Sequence, residues 1–304
     1  MTAAGGSCYG YDVAGPLPLR FLRAPGGEPL RVYEHDEEGP GPDAVLFEEW
    51  EPDDLVPIRV RLYECGPRWR VWIEGAGWYH IDPREPSIGV PVGEDPVRRE
   101  ERLWGLPVLL CFLHRGDLPL HAAVVQVGDG ALVVGAPSTF GKTTLAAACW
   151  RAGHRVLGDD LACVRGGDEP AVIPGPALLR LRPDMAERLG LDEEDEVIDL
   201  AGRVRVVLGG DRLGDCAPVP LRGVVLLGEE SDEVSVAPVG PVEAIRDLWE
   251  LSFHLSRRED DARSFAAMAD LTARVPVWRL RRPLSVESLP AVVDRIAGLV
   301  AARA

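Results

Sequence analysis

The stretch LHAAVVQVGDGALVVGAPSTFGKTTLAAACWRAGHRVLGDDLACVR, Leu120 to Arg165, decides how the chain is read. It divides into a strand, a loop, a helix, a second strand and a pair of carboxylates. Ala131 to Gly135 is an apolar strand, and the loop after it, Ala136-Pro137-Ser138-Thr139-Phe140-Gly141-Lys142-Thr143, fits the phosphate-binding pattern with Ala in place of the first Gly. Loop amides and the positive end of the following helix can hold a polyphosphate largely through main chain. Lys142 then reaches the β- and γ-phosphates and the Thr143 hydroxyl ligates Mg²⁺. Thr143 to Ala152 is the predicted helix, with Leu145, Ala148 and Cys149 on one face, and Gly153 stands where a left-handed residue ends it. The whole of Ala136 to Thr144 is therefore the expected nucleotide-binding segment.

The chain has 33 basic residues, and Lys142 is its single lysine; all the others are arginine. The lysine is kept where a compact ammonium differs most from a planar guanidinium. Beyond the helix, His154 to Gly158 is a short apolar strand that ends at Asp159-Asp160. Adjacent carboxylates at the C-terminal end of a strand lie in the crevice where α/β sheets place ligands. One can take part in a Mg²⁺ site and the other can accept a proton from an attacking hydroxyl.

Working outward, Ala122 to Val127 is a strand that turns at Gly128-Asp129-Gly130 into the strand before the loop, so His121 opens a strand near the same sheet edge. Residues 1–95 form a β-rich N-terminal domain: Ile58 to Tyr63 and Trp69 to Ile73 alternate apolar and basic residues, and Trp78 to Ile81 continues the meander. Glu34 to Asp43 is a loop, Glu48 to Asp54 a solvated acidic face, and His35 and His80 are lone histidines without a partner motif. Residues 96–119 connect this domain to the next, with Arg98 to His114 as one mostly apolar helix kinked at Gly105 and Pro107. From residue 120 to 304 strands and helices alternate. Arg203 and Arg205 share a strand face, where they could clamp phosphate or equally be ordinary surface arginines, Leu191 to Glu196 is an acidic loop, and His254, Arg257 and Arg258 lie in a polar stretch between helices. Ser285 is the expected N-cap of the last helix, Val286 to Ala302.

Composition narrows the classes. At 46% hydrophobic and 27% charged residues the chain is globular rather than disordered. A net charge of -16 leaves no basic stripe for nucleic acid. The longest apolar run, Leu106 to Leu113, is too short for a bilayer, and Met1 to Gly10 does not read as a signal peptide. Six cysteines without a Cys-x-x-Cys pair fit reduced thiols in a cytoplasmic protein.

The run from His121 through the phosphate loop to Gly153-His154-Arg155-Val156-Leu157-Gly158-Asp159-Asp160 resembles the HPr serine kinase/phosphorylase family. Tyr11 to Leu19, the helix before His121 and Val275 to Leu280 with its final helix resemble the stand-alone kinases of bacterial peptide-modification clusters, including those acting on lasso peptides. The resemblance implies an α/β fold: a P-loop kinase-like domain of the HPr kinase C-terminal type, preceded by the smaller β-rich domain. It also implies an ATP- and Mg²⁺-dependent transfer of the γ-phosphate to a hydroxyl, serine first, of a peptide or protein, in natural-product biosynthesis. A small hydroxylated metabolite is the less favoured acceptor. Lys142 and Thr143 would hold phosphate and metal, His121 would sit beside the transferred phosphate, and Asp159 and Asp160 would divide base and metal duties, the metal falling to Thr143 and Asp160. Self-association also comes with the resemblance. Ala136 and Thr139 stand where the family usually has Gly, and the downstream glycine-rich signature of phosphorolysis and HPr docking is not found. The competing reading is a nucleotide-binding accessory or scaffold protein without turnover.

Overall fold

The alternating stretches near residues 60 and 70 are neighbouring strands in the computed structural model, which describes residues 5–52, 58–137, 139–191, 196–200 and 202–301. The chain is a mixed α/β protein of two units, Met1–Gly116 and Asp117–Ala304. In the first, β1 (Ser7–Cys8), β2 (Tyr11–Ala14), β3 (Glu28–His35), β4 (Val45–Trp50), β5 (Val60–Cys65), β6 (Arg68–Ile73), β7 (Gly77–Asp82) and β8 (Ser87–Pro91) form one sheet in the order β1-β2-β3-β8-β7-β6-β5-β4. The β5-β6-β7 meander sets Leu62 opposite Val71 and Val71 opposite Tyr79, all fully buried on one face. The acidic cluster is partly strand: Glu48 to Trp50 closes β4, while residues 53 and 54 lie outside the described residues.

Residues 98–114 are not one kinked helix. Asp95 caps α1 (Pro96–Leu103), its carboxylate accepting from the amides of Val97 and Arg98, and Pro96 occupies the first turn where no amide partner is needed. The chain then breaks at Trp104-Gly105 and restarts as the apolar α2 (Leu106–Arg115). Both helices lie in the first unit. Glu100 explains the anchoring of α1: fully buried, it accepts from the amides of Arg20 and Phe21 at 2.6 and 2.8 Å and from the Trp104 indole at 3.3 Å.

The second unit contains β9 (Leu118–Leu120), β10 (Ala122–Val127), β11 (Gly130–Gly135), α3 (Lys142–Arg151), β12 (Arg155–Gly158), β13 (Ala162–Arg165), β14 (Ala171–Ile173), β15 (Leu178–Leu181) and α4 (Pro183–Arg188). It continues through β16 (Glu196–Leu200), β17 (Arg203–Val207), β18 (Val219–Glu230), β19 (Ser235–Pro238), α5 (Pro241–Leu251), α6 (Arg258–Arg274), β20 (Val277–Arg282) and α7 (Leu289–Ala301). Among the described residues, nine strands join in one sheet with the path β12-β10-β11-β18-β14-β13-β9, β20 pairing β18 and β19 pairing β20. β11, β18 and β20 run parallel, and β10 runs antiparallel to both β11 and β12, so β11 and β12 end on the same side.

Both faces of this sheet are covered, which is why its strands read as unbroken apolar runs. Ala123, Val125, Leu132 and Val134 pack in a cluster with residues of α3 and α7, and the alternate Val124, Ala131 and Val133 pack with residues of α5 and α6. The β10-β11 turn is a two-residue hairpin with Gly128 at φ 59, as its Gly-Asp-Gly composition predicts. α7 begins at Leu289, three residues later than expected, and Ser285 instead accepts from the Ser288 amide in the turn ahead of it. Of the acidic run 191–196, residues 192–195 lie outside the described residues and Glu196 opens β16.

Candidate active site

The loop leaves β11 at Gly135 and enters α3 at Lys142. Gly141, at φ 86, is the N-cap, a backbone state that glycine adopts without penalty. The far end of α3 closes as the sequence requires: Gly153 at φ 92 donates to Trp150 O and His154 donates to Cys149 O, the pair of bonds of a Schellman cap. Of the two departures from glycine, Ala136 costs nothing visible, since its side chain is buried in the core and its backbone does not have positive φ. Thr139 does: it is held at φ 70, where a β-branched residue is strained. Pro137 is exposed, Phe140 is 41% exposed, and Thr144 is half-buried in the first turn of α3. Ser138 lies outside the described residues.

Two crossings of the chain bring the chemistry together. At His121 the chain leaves β9, which pairs with β13, and enters β10, which pairs with β11 and β12. Between Gly158 and Ala162 it makes the reverse crossing, from β12 to β13, and Asp159-Asp160 occupies that turn. Asp160 adopts φ 74, a conformation that aspartate tolerates better than most residues. The two crossings touch: His121 Nδ1 lies 3.0 Å from the Asp160 carbonyl and 3.1 Å from Asp160 Oδ1. His121 Nε2 lies 3.1 Å from Lys142 Nζ. With the ammonium donating to Nε2, the ring proton belongs on Nδ1, facing Asp160.

Lys142 is buried and also donates to the carbonyls of Ala136 and Pro137, at 2.8 and 3.2 Å. Burial lowers its pKa, and the nearby Asp160 and Asp159 oppose that shift. The two aspartates diverge. Asp159 is buried, which raises its pKa; Arg180 works against the rise and Asp160 with it. Its Oδ1 accepts from Thr143 Oγ1 at 2.8 Å and its Oδ2 from the Arg180 amide at 3.1 Å. Asp160 is half-exposed; desolvation would raise its pKa, but the Arg180 guanidinium, with His121 and Lys142, overcomes this and holds it well below the usual carboxylate range. Arg180 Nη2 to Asp160 Oδ2 is 2.9 Å.

Arg180 is the residue that the sequence reading missed. It sits on β15, opposite Arg205 of β17. Arg205, offered as a phosphate clamp, donates instead to the carbonyls of Leu200 and Arg203 in its own hairpin, and Arg203 is exposed. Leu178-Leu179-Arg180-Leu181 carries no local signal of this role; strand pairing places the side chain. The polar stretch at 254 does approach the site through its backbone: His121 N donates to Leu251 O at 2.6 Å and Phe253 N to Pro119 O at 3.2 Å. His254 itself faces Asp261, Nδ1 to Oδ1 3.0 Å, and packs on Trp249. In the first unit His35 and His80 are not lone; their rings stack at 3.7 Å.

Among the described residues, no three His, Cys, Asp or Glu side chains converge as a metal set. The oxygens present, two carboxylates and the Thr143 hydroxyl, fit Mg²⁺, which takes few protein ligands and completes its shell with water and substrate phosphate. Among the described residues, no helix is long and apolar enough to cross a membrane. No protein-family model matches the sequence, and no curated protein matches it. Among solved structures the chain is similar to the Hpr(Ser) kinase/phosphatase from Coxiella burnetii, at 12% identity, 60% coverage of this chain, 94% of that chain and a TM-score of 0.32, a distant likeness in fold.

Proposed function

We propose that this protein is a P-loop phosphotransferase that moves the γ-phosphate of ATP, with Mg²⁺, to an alcohol. The observation that carries the reading is the convergence of Lys142, His121, Thr143, Asp159, Asp160 and Arg180 at the ends of β11 and β12, beside a loop that leads into a helix N-terminus. Lys142, now held by His121 and two loop carbonyls, is the group that turns to the β- and γ-phosphates. Bound Mg²⁺ supplies neutralisation of the phosphate charge.

The assignment of Asp160 to the metal is better exchanged for Asp159. Asp159 already pairs with the Thr143 hydroxyl, the usual partner of a metal-side carboxylate, and both its oxygens are committed in a buried position. Asp160 is half-exposed and ionised, so it is the carboxylate that an acceptor hydroxyl can reach; it takes the proton as the oxygen bonds to phosphorus and ADP leaves. His121 then lies beside the moving phosphoryl group. A serine of a peptide or protein remains the first acceptor to test, on the sequence resemblance, with a small hydroxylated metabolite second.

The test is transfer of label from γ-labelled ATP to panels of peptides and metabolites. Asp160→Asn should lower transfer by about 10²–10⁴-fold while leaving Mg-ATP affinity within a few-fold. Asp159→Asn should weaken the Mg²⁺ dependence as well. Full activity of both variants would sink the mechanism, and ATP binding with no transfer to any acceptor would favour the accessory-protein reading.

A further inference from the structure

Arg282 ends β20, which runs parallel to β18 and β11, so it reaches the side of the sheet from which the phosphate loop departs. It is 4% exposed. Its Nη2 donates to the Phe140 carbonyl at 2.7 Å, and a Cβ placed on Gly141 would lie 3.0 Å from the same nitrogen. Its Nη1 is buried with no hydrogen-bond partner among the described residues. A guanidinium in that state is costly, because desolvation of a charge is recovered only through close opposite charge and complete hydrogen bonding. Burial lowers its pKa, and no carboxylate opposes the shift.

The contact has a geometric consequence. All described peptides are trans. In a trans peptide the carbonyl and the following N–H point in opposite directions. By holding the Phe140 carbonyl, Arg282 turns the Gly141 N–H away from itself, and Gly141 is the last loop residue before α3. The same side chain thus aims a loop amide and brings to the loop a positive charge that has no counter-ion among the described residues.

We propose that Arg282 is a positioning residue of the polyphosphate cradle, orienting the Phe140-Gly141 peptide, with its unpaired charge offset by the phosphates of a bound nucleotide. The inference rests on the nucleotide reading of the loop and adds to it a second cation, one that acts through the loop rather than by touching phosphate. It predicts an opposition between stability and binding: the nucleotide-free protein bears the cost of the buried charge, and ligand charge recovers it.

The experiment is calorimetric titration of the full chain with ATP, ADP and AMP, together with thermal melting of the nucleotide-free protein, for wild type, Arg282→Met and Arg282→Lys. Arg282→Met should weaken ATP at least tenfold, ADP less and AMP least, while nucleotide-free Arg282→Met melts no lower than wild type. Arg282→Lys, which keeps the charge and loses the fork, should retain part of the preference for higher phosphate charge. Equal losses for all three nucleotides, with a lower melting temperature, would make Arg282 merely structural and overturn the proposal. Should Arg282→Met not fold, Arg282→Lys decides: equal losses for the three nucleotides overturn the proposal in the same way. Wild type binding none of the three nucleotides would overturn the nucleotide reading itself and this inference with it.

Discussion

In the first unit the buried carboxylate Glu100 commits its oxygens to the Arg20 and Phe21 amides and the Trp104 indole, whereas in the second the buried Asp159 accepts from the rotatable Thr143 hydroxyl and from a residue whose guanidinium holds Asp160. The partners of Glu100 have nowhere else to go, so it works as a clasp between the N-terminal segment and α1. Among the partners of Asp159 and Asp160, the Arg180 amide is fixed, but the Thr143 hydroxyl, the Arg180 guanidinium and the His121 ring are side chains that could turn to a ligand. The histidines repeat the contrast. His80 is buried against His35 and held neutral, its pKa pushed down to about 3 by burial, then by Arg70 and His35. His121 is partly exposed and bridges an ammonium and a carboxylate. Buried charge in the first unit locks structure; in the second it is arranged around the proposed phosphate site.

Of the variants that test this contrast, Lys142→Met should have the largest effect. Loss of a preorganised cation at a transferring phosphoryl group is expected to cost about 10²–10³-fold in label transfer. The melting temperature should hold or rise, because the variant removes a buried ammonium. A variant that loses its melting transition along with its activity would break the contrast, showing that Lys142 is a structural clasp like Glu100.

A second, smaller effect reads the state of His80 through pH. The His80 pKa is lowered from 6.5 to about 3 in the folded chain. Between those values the unfolded chain binds a proton that the folded one does not, so stability falls as pH drops through that window. Melting temperature measured from pH 7 down to pH 4 should fall with a slope that His80→Phe reduces. Equal slopes in wild type and variant would mean that His80 is not held neutral, and that the first unit does not lock its buried groups in the way described.

How far these features were legible in the sequence follows from their range. The loop, α3 and its Gly153 cap, and the Asp159-Asp160 turn depend on contacts within a few residues, and spacing alone reveals them. Arg180 and Arg282 were invisible because they are two arginines among many, and only strand pairing places one beside Asp160 and the other behind Phe140. The His35-His80 stack depends on register: Gly89 of β8 pairs with Tyr33 on one side and His80 on the other, and a Cβ there would lie 2.9 Å from the His35 ring. Nothing local to either histidine announces that glycine. The single helix expected over 98–114 failed for a related reason: the cap at Asp95 and the break at Trp104-Gly105 separate an α1 fixed by Glu100 from an apolar α2.

The smallest effect concerns Thr139, the loop residue whose backbone is strained. A non-glycine residue at φ 70 costs about 1–2 kcal/mol relative to right-handed geometry, and more for a β-branched side chain. Thr139→Gly removes that strain but adds unfolded-state freedom, worth about 0.5–1 kcal/mol in the other direction. The difference leaves a gain of up to about 1.5 kcal/mol in denaturant unfolding, with ATP affinity unchanged or better, because glycine removes a side chain from a loop whose backbone must approach phosphate. The matching change at Ala136 should do the reverse. Its φ is not positive and its side chain is buried in the core, so Ala136→Gly forfeits packing and raises chain entropy, lowering stability by about 1 kcal/mol. Opposite signs at the two positions would separate a departure the loop absorbs from one it tolerates under strain; equal signs would mean that the backbone of Thr139 is not what sets its cost.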